Sequence, residues 1–300
     1  MEDKIPYKKP FLTYKEQLQL LKNRGLIVED DNRALHLLEK ISYYRLSGYW
    51  YPLLEDKESH VFKKGTTFDH AFKIYCFDKE LRRLILCELE KIEVAVRAHM
   101  IYIISGYFGP FWIEDKAIFP NQTGYNEIIA KITSEYERSD EKFIEAFKYK
   151  YSNPLPPSWM LLEITSFGSL SLMYQHLKPG KTKREIADKF GLDDATFASW
   201  LHVMVYVRNV CAHHSRLWNR SFSIRPLKLQ NPKNVWLQNR ETSNARVFYF
   251  ASALVYVLNI INPNNNFREK FIDLIKSFKI IDFNAMGFCD EWEKEALWSK

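Results

Sequence analysis

The chain has 300 residues, of which 46% are hydrophobic and 15% aromatic, which is enough to bury a substantial core. It contains only 10 glycines and 12 prolines, and this excludes collagen-like, mucin-like and disordered sequences. Lys and Arg number 43 against 37 Asp and Glu, and the net charge of +6 is compatible with a polyanionic partner without requiring one.

The cysteine spacing and the apolar segments predict a cytoplasmic protein. The chain has four cysteines, Cys76, Cys87, Cys211 and Cys289, and no two of them have C-x-x-C spacing. Cysteines scattered in this way are typical of reduced thiols. The first ten residues lack the apolar region of a signal peptide. The most apolar segment, residues 247–261, is too short and too aromatic for a membrane span. We therefore expect no membrane association.

Two helices and an aromatic cluster are predicted near the start of the chain. Thr13 and Glu16 have the spacing of a capping box, which begins the first helix. A second helix is predicted from Asp30 or Asp31. It leads into the aromatic residues of segment 43–50, which we interpret as packing residues rather than a surface that stacks on bases.

The central part of the chain is predicted to be helical. Residues 53–67 are charged and predict a loop or short strands. Apolar residues then recur at spacings of three and four over 68–105, which predicts one bent helix or two consecutive helices ended by Gly106 and Gly109. A charged helix is predicted over 125–149, with four side chains directed inward: Ile128, Ile132, Phe143 and Phe147.

The next segments carry further helix signals. A helix is predicted over 158–175, and Thr182 with Glu185 predicts a second capping box. Asp193 is predicted to cap a helix that includes the sequence 207–219.

The C-terminal part completes the predicted fold. Residues 220–243 have the composition of irregular structure, and helices are predicted over 244–261 and 267–278. Strand signals are few, so the predicted fold class is all-α.

The densest group of catalytically useful side chains lies between Val207 and Asn219. At 100° per residue, one polar helix face of roughly 80° would carry His202, Tyr206, Asn209, His213 and Arg216. The opposite face would pack into the core with Phe197, Leu201, Met204 and Cys211. A solvent-exposed face usually carries Lys and Glu instead, so this selection of side chains predicts phosphate chemistry.

RNA can be cut without a metal when a base removes the 2′-hydroxyl proton and the resulting alkoxide attacks the adjacent phosphorus. A histidine titrates near neutral pH and can take or give a proton, which is the role assigned to His213. A guanidinium stays charged and can hold phosphate oxygens, which is the role assigned to Arg208. Asn209 can orient the histidine or a phosphate oxygen.

The spacing of these residues sets a geometric condition. Arg208 and His213 are five positions apart, about 140° around an ideal helix, whereas Asn209 and His213 share a face. For both side chains to act on one phosphate, one of three arrangements is needed. The Arg208 side chain curls round, the helix distorts near Ala212, or a second subunit shares the cleft.

Several blocks of sequence carry a family resemblance. Arg208, Asn209 and His213 resemble the HEPN signature of an arginine, a polar neighbour and a histidine five residues on. Further blocks are similar in type and order to those of the Abi-like (AbiD/AbiF) abortive-infection family of the HEPN superfamily, at 43–49, 77–82, 92–97, Trp159, Glu163, 166–168, 286–288 and Trp292. Cys289 stands where the tail block of the family has proline.

The resemblance implies an all-helical HEPN fold, a homodimer with the two motifs near the two-fold axis, and no cofactor. It also implies a toxin-like endoribonuclease that stops host growth during phage infection under the control of an RNA or protein antitoxin. The corresponding division of the chain is an N-terminal helical extension over 1–65, a HEPN-like domain over 66–262 and a C-terminal helical extension over 263–300.

RNA-binding or supporting roles are assigned to other residues, including His202, Tyr206 and Arg216 of the polar face. Glu93 and Arg97 have the spacing of an ion pair on a helix surface, and a buried Glu93 would instead orient Arg208. Arg45 is a candidate phosphate contact. His214 is either a second catalytic residue or a packing residue, and its angular distance from His213 on a helix favours packing.

Other interpretations are open at this point. Without the surrounding blocks, the arginine and histidine of the motif would be an ordinary core pair. The protein could be a non-catalytic HEPN-like RNA-binding or phage-sensing protein, or a metal-dependent hydrolase built from the histidines with Glu93 or Glu163. A zinc site formed by Cys211, His213 and His214 would lack a fourth ligand.

Overall fold

The computed structural model describes residues 6–299. The chain forms two compact units, one comprising Met1–Glu80 with Ile275–Ile281, the other Leu81–Leu274 with Asp282–Lys300. Within the described residues, helices predominate and the only sheet has two strands, so the all-α prediction is confirmed.

The first elements are three short helices and a hairpin that precede one long helix. In chain order they are α1 Tyr14–Asn23, α2 Asp31–Ile41, α3 Tyr43–Trp50, β1 Leu54–Asp56, β2 Val61–Phe62 and α4 Phe68–Phe108. The two strands pair antiparallel with an irregular register. The core of the first unit is built mainly from leucine and aromatic side chains, including Leu21, Leu38, Leu46, Trp50 and Phe68.

The predicted starts of the first two helices are confirmed, and a side chain caps each of them. The Thr13 hydroxyl accepts from the Glu16 N–H at 3.4 Å, and the Glu16 carboxylate accepts from the Thr13 N–H at 2.7 Å. The Asp30 carboxylate accepts from the Arg33 N–H at 3.0 Å. Both helices therefore begin where a side chain satisfies a free N–H of the first turn.

The aromatic cluster of segment 43–50 is divided between core and surface. Tyr49 and Trp50 are buried, as predicted, and the Tyr49 hydroxyl donates to the buried Asp78 carboxylate at 2.7 Å. Tyr44, in contrast, is 88% exposed. The packing interpretation therefore holds for part of the cluster only.

Eight further α-helices follow within the described residues. They are α5 Gln122–Glu137, α6 Lys142–Lys150, α7 Ser158–Leu161, α8 Phe167–His176, α9 Lys181–Asp188, α10 Asp194–Ala212, α11 Val247–Ile261 and α12 Phe267–Ser277. Residues 220–243 contain no helix or strand, as predicted.

Two of the predicted boundaries in the central part are wrong. Helix α4 continues through Gly106, and it is Gly109, with a φ of 79°, that follows its end. The predicted helix over 125–149 is two helices, because the chain turns between α5 and α6. The turn changes which side chains face inward, so that Phe143 is exposed and Ile144 is buried.

The predicted helix over 158–175 is broken between α7 and α8. A 3-10 turn, Leu162–Ile164, follows α7, and Ser166 then caps α8 by accepting from the Ser169 N–H at 3.3 Å. The carbonyls of Leu162 and Thr165 accept hydrogen bonds from the Arg97 guanidinium, at 2.8 and 3.1 Å. These two carbonyls therefore bind Arg97 instead of the helical N–H groups that would accompany a continuous helix.

The capping box predicted at Thr182 is absent. Helix α9 begins at Lys181, its N-cap is Gly180, and no side chain caps it. Lys183 is buried and donates to the carbonyls of Gln175 and Leu177 at 2.8 and 3.2 Å. The start of α9 is therefore fixed by packing against the end of α8.

Helix α10, which carries the motif, is held by the core of the second unit. It packs against α8 and α9, and α8 packs in turn against α5. The four residues predicted for its inner face are all buried, namely Phe197, Leu201, Met204 and Cys211. This packing fixes which face of α10 is exposed to solvent.

Candidate active site

Helix α10 ends inside the motif. Asp193 caps its start by accepting from the Thr196 N–H at 2.8 Å. Its last residue is Ala212, and His213 is the C-cap. The prediction that the helical face continues to Arg216 is therefore wrong.

The end of α10 has the hydrogen bonds of a Schellman motif. The N–H of His214 donates to the Cys211 carbonyl at 3.1 Å, and the N–H of Ser215 donates to the Val210 carbonyl at 2.9 Å. His214 occupies the left-handed position with a φ of 56°. Glycine is the usual residue there, because a side chain in this conformation is strained.

The three predicted catalytic residues are exposed at this helix end. Arg208 and Asn209 lie in the last turns of α10, and His213 follows the helix. The Arg208 Nη1 atom approaches the Asn209 Oδ1 atom at 3.4 Å, and the His213 N–H donates to the Asn209 carbonyl at 3.0 Å. Because the helix ends at Ala212, the helical step of 100° per residue no longer fixes the direction of His213.

An arginine that the sequence pattern did not indicate binds the segment after α10 to the helix. Arg220 donates from Nε to the Arg216 carbonyl at 2.7 Å and from Nη1 to the Tyr206 hydroxyl at 3.3 Å. Burial raises the pKa of Tyr206, but hydrogen bonds with Ser223 and Arg220 outweigh this effect and lower that pKa below its ordinary value. Tyr206 and Arg216 therefore help to hold the segment in place.

Two buried side chains anchor the same segment in the core. Leu217 and Trp218 are 0% and 2% exposed. Asn219 follows with a left-handed φ of 51°, and its side-chain oxygen accepts from Arg246 at 3.2 Å. The chain that carries the two histidines of the motif is thus fixed at both ends.

The predicted ion pair on α4 is present. Arg97 Nη2 lies 2.8 Å from Glu93 Oε1. The side chains are only 13% and 21% exposed, so the pair is partly buried, and Arg97 also holds the carbonyls of Leu162 and Thr165. Arg97 therefore joins α4 to the turn before α8, and the suggested action of Glu93 on Arg208 stays a prediction.

His202 lies on the exposed side of α10, at a distance along the helix from the motif. It lines an open groove of about 690 Å³ with residues of α5 and α8, including Glu135 and Gln175. Arg45 is exposed on α3, in the first unit. Roles for His202 and Arg45 in binding RNA stay predictions.

Comparison with protein families identifies this chain. It matches the Abi-like protein family over residues 36–219, which is more than half of its length. The chain belongs to the Abi-like protein family. No curated protein and no solved structure gives a significant match.

Membership of this family implies a role in phage defence by abortive infection. The match covers the whole of α10 with its motif and the blocks at 43–49, 77–82, 92–97, Trp159, Glu163 and 166–168. The tail block at 286–288 lies outside it.

Among residues 6–299, no group of three or more His, Cys, Asp or Glu side chains is arranged to hold a metal ion. Cys211 is buried, whereas His213 and His214 are exposed. Over the same residues, no helix combines the length and apolar character needed to cross a bilayer.

Proposed function

We propose that this Abi-like protein is a metal-independent endoribonuclease of phage defence that cuts RNA by attack of the 2′-hydroxyl. The proposal is supported by the exposure of Arg208, Asn209 and His213 together at one helix end. An ordinary core pair of arginine and histidine would be buried. The side chains are instead available to a ligand in solution.

The proposed reaction needs two proton transfers and no redox partner. The 2′-oxygen forms a bond to phosphorus while the bond from phosphorus to the 5′-oxygen breaks. A base takes the 2′-hydroxyl proton, and an acid gives a proton to the leaving 5′-oxygen. The products are a 2′,3′-cyclic phosphate and a 5′-hydroxyl.

Each residue of the motif has a role in this reaction. His213 transfers one of the two protons, because an imidazole can exchange protons near neutral pH. Arg208 binds the non-bridging phosphate oxygens, where negative charge increases in the transition state. The Asn209 side chain contacts that of Arg208 and orients the guanidinium, while the Asn209 backbone carbonyl holds the backbone of His213.

A second group must transfer the other proton. His214 is one candidate, because it is exposed and adjacent to His213 in a strained conformation of the kind that occurs at functional sites. The other candidate is His213 of a second copy, since the HEPN resemblance implies a homodimer. We propose the homodimer as the active form and an RNA or protein antitoxin as its regulator.

The decisive experiment uses purified protein, total RNA and mapping of the new RNA ends. Wild-type protein is expected to produce 2′,3′-cyclic phosphate ends in the presence of a chelator. His213→Ala and Arg208→Ala are expected to abolish cleavage and to relieve toxicity in cells. His36→Ala and Arg225→Ala are matched controls, because these residues are also exposed and lie outside the motif.

Other outcomes would assign a different function. Binding of RNA without cleavage, retained by His213→Ala, would indicate the non-catalytic RNA-binding alternative. Cleavage that stops on chelation would indicate a metal-dependent hydrolase. Either result would overturn the proposal.

A further inference from the structure

A pocket of about 340 Å³ lies in the second unit, between the irregular segment 228–240 and α11. We call it the basic pocket, and its lining includes Lys228, Gln230, Trp236, Asn239, Arg240 and Tyr249. All of these residues lie beyond the part of the chain that matches the family. Nothing in the proposed nuclease mechanism uses them.

Two aromatic side chains form a fixed wall of the basic pocket. Trp236 and Tyr249 pack edge to face, with ring centroids 5.5 Å apart. The Tyr249 hydroxyl accepts from the Leu229 N–H at 2.9 Å and donates to the Leu227 carbonyl at 3.2 Å. Burial raises the pKa of Tyr249 to about 12, so the phenol is neutral and keeps both hydrogen bonds at physiological pH.

The charged side chains that line the pocket are both cations. Lys228 Nζ donates to the Arg240 carbonyl at 2.8 Å, and Arg240 Nη1 donates to the Leu229 carbonyl at 2.9 Å. A guanidinium has five N–H groups and an ammonium has three, so these bonds position each cation and leave further donors for a ligand. No carboxylate is among the lining residues.

Two amide side chains complete the polar part of the lining. The Asn239 side-chain oxygen accepts from the Glu241 N–H at 2.9 Å. Glu295 fixes the same wall through its carboxylate, which accepts from the N–H groups of Gln238 and Asn239 at 2.6 and 3.0 Å. The Asn239 amide therefore lies on an ordered wall, and the exposed Gln230 amide lines the same pocket. Such amides pair well with the edges of nucleobases.

We infer that the basic pocket binds a mononucleotide, with the phosphate on Lys228 and Arg240 and the base beside Trp236 and the two amides. Two cations with no carboxylate among the lining residues favour an anion, while an aromatic wall with amides suits a planar heterocycle. The volume lies at the lower end of the range for small-molecule sites, which favours a single nucleotide over a longer chain. The inference does not rest on the nuclease proposal.

Calorimetric titration of the full chain tests this inference. The probes are AMP, GMP, CMP and UMP, the four nucleosides, inorganic phosphate, and an oligonucleotide with a 5′-phosphate. At least one mononucleotide is expected to bind about tenfold or more tightly than its nucleoside and than phosphate. Tighter binding of the oligonucleotide would identify the 5′-terminal nucleotide of an RNA, rather than a free nucleotide, as the ligand of the basic pocket.

Two variants test whether the nucleotide binds in the basic pocket. Arg240→Gln is expected to weaken nucleotide binding by about tenfold or more, whereas Arg225→Gln, within the irregular residues 220–243 but outside the lining, leaves it unchanged. Arg240 also supports a backbone carbonyl, so Gln230→Trp provides a second test, because it fills the pocket from an exposed position. His213→Ala is expected to keep nucleotide binding.

Three results would overturn the inference. One is the absence of heat with every mononucleotide up to roughly 5 mM. Another is binding that a folded Arg240→Gln protein and Gln230→Trp both retain. The third is binding that disappears with Arg208→Ala, which would place the nucleotide at the end of α10 instead.

Discussion

The backbone N–H of His213 donates to the carbonyl of Asn209 at 3.0 Å, in the hydrogen bond that ends helix α10. The next residue, His214, takes the left-handed conformation that reverses the chain. A histidine therefore occupies a position where glycine would be less strained, immediately beside the motif. Such a residue is expected to contribute to function at a cost to stability.

Replacement of that histidine tests this trade-off. His214→Gly is expected to raise the free energy of unfolding by about 0.5–1 kcal/mol, because relief of the left-handed strain exceeds the extra backbone entropy of glycine. The same variant is expected to lower RNA cleavage. Urea denaturation and a cleavage assay measure the two effects, with His214→Ala as the control that keeps the strain. Equal stability of the wild type and the glycine variant would contradict the prediction.

Loss of Arg97 is expected to destabilise the turn between α7 and α8. The guanidinium binds Glu93 and the carbonyls of Leu162 and Thr165, so Arg97→Met leaves several partners unsatisfied. The expected loss in free energy of unfolding is about 2–4 kcal/mol. Glu93→Gln removes only the ion pair and is expected to cost less. Similar losses for the two variants, measured by urea denaturation, would show that the carbonyl contacts contribute little.

A close approach at Gly191 predicts a steric penalty. An added Cβ would lie 2.5 Å from Ile260 Cδ1 and 3.2 Å from the Tyr256 hydroxyl, at a backbone φ of +71°. Gly191→Ala is expected to lower stability by about 2–3 kcal/mol. Gly109 is the matched control, because its φ is +79° and an added Cβ would meet nothing within 4 Å. Equal thermal shifts for the two alanine variants would rule out the clash.

His99 predicts a dependence of stability on pH. Burial, with a smaller effect of Lys189, lowers the pKa of this imidazole, whose ring packs edge-on against Phe190 at 5.6 Å. The unfolded chain therefore binds the proton more readily than the folded one. Stability contributed by the neutral ring is complete above the ordinary histidine pKa of about 6.5 and is lost as the pH falls from there through the folded pKa.

Urea denaturation at several pH values between about 5 and 8 measures this effect. His99→Gln is expected to reduce the loss of stability on acidification, whereas His36→Gln, at an exposed position on α2, is expected to leave it unchanged. The same pH slope in wild type and His99→Gln would contradict the assignment.

Local sequence signals predicted the helices whose ends are fixed by local contacts. Thr13 and Asp193 cap the helices that they were expected to cap, because each cap involves a residue only three positions away. The break between α7 and α8 could not be predicted in this way. It depends on Arg97, which is more than sixty positions away in the sequence.

The candidate site was predictable to a similar degree. The motif from Arg208 to His213 has a recognisable spacing, and the apolar pattern predicted the buried face of α10. Periodicity gave no sign that the helix ends at Ala212, since the apolar pattern does not encode a left-handed residue. The basic pocket lies in irregular chain, where the position of Arg240 depends on distant backbone carbonyls.

End mapping of RNA treated with wild-type protein and with His213→Ala, in the presence of a chelator, tests the central claim most directly. The account predicts 2′,3′-cyclic phosphate ends with the wild type and none above background with the variant, while circular dichroism shows both proteins to be folded. Equal amounts of cyclic phosphate from the two proteins, or ends that carry a 3′-hydroxyl, would contradict it.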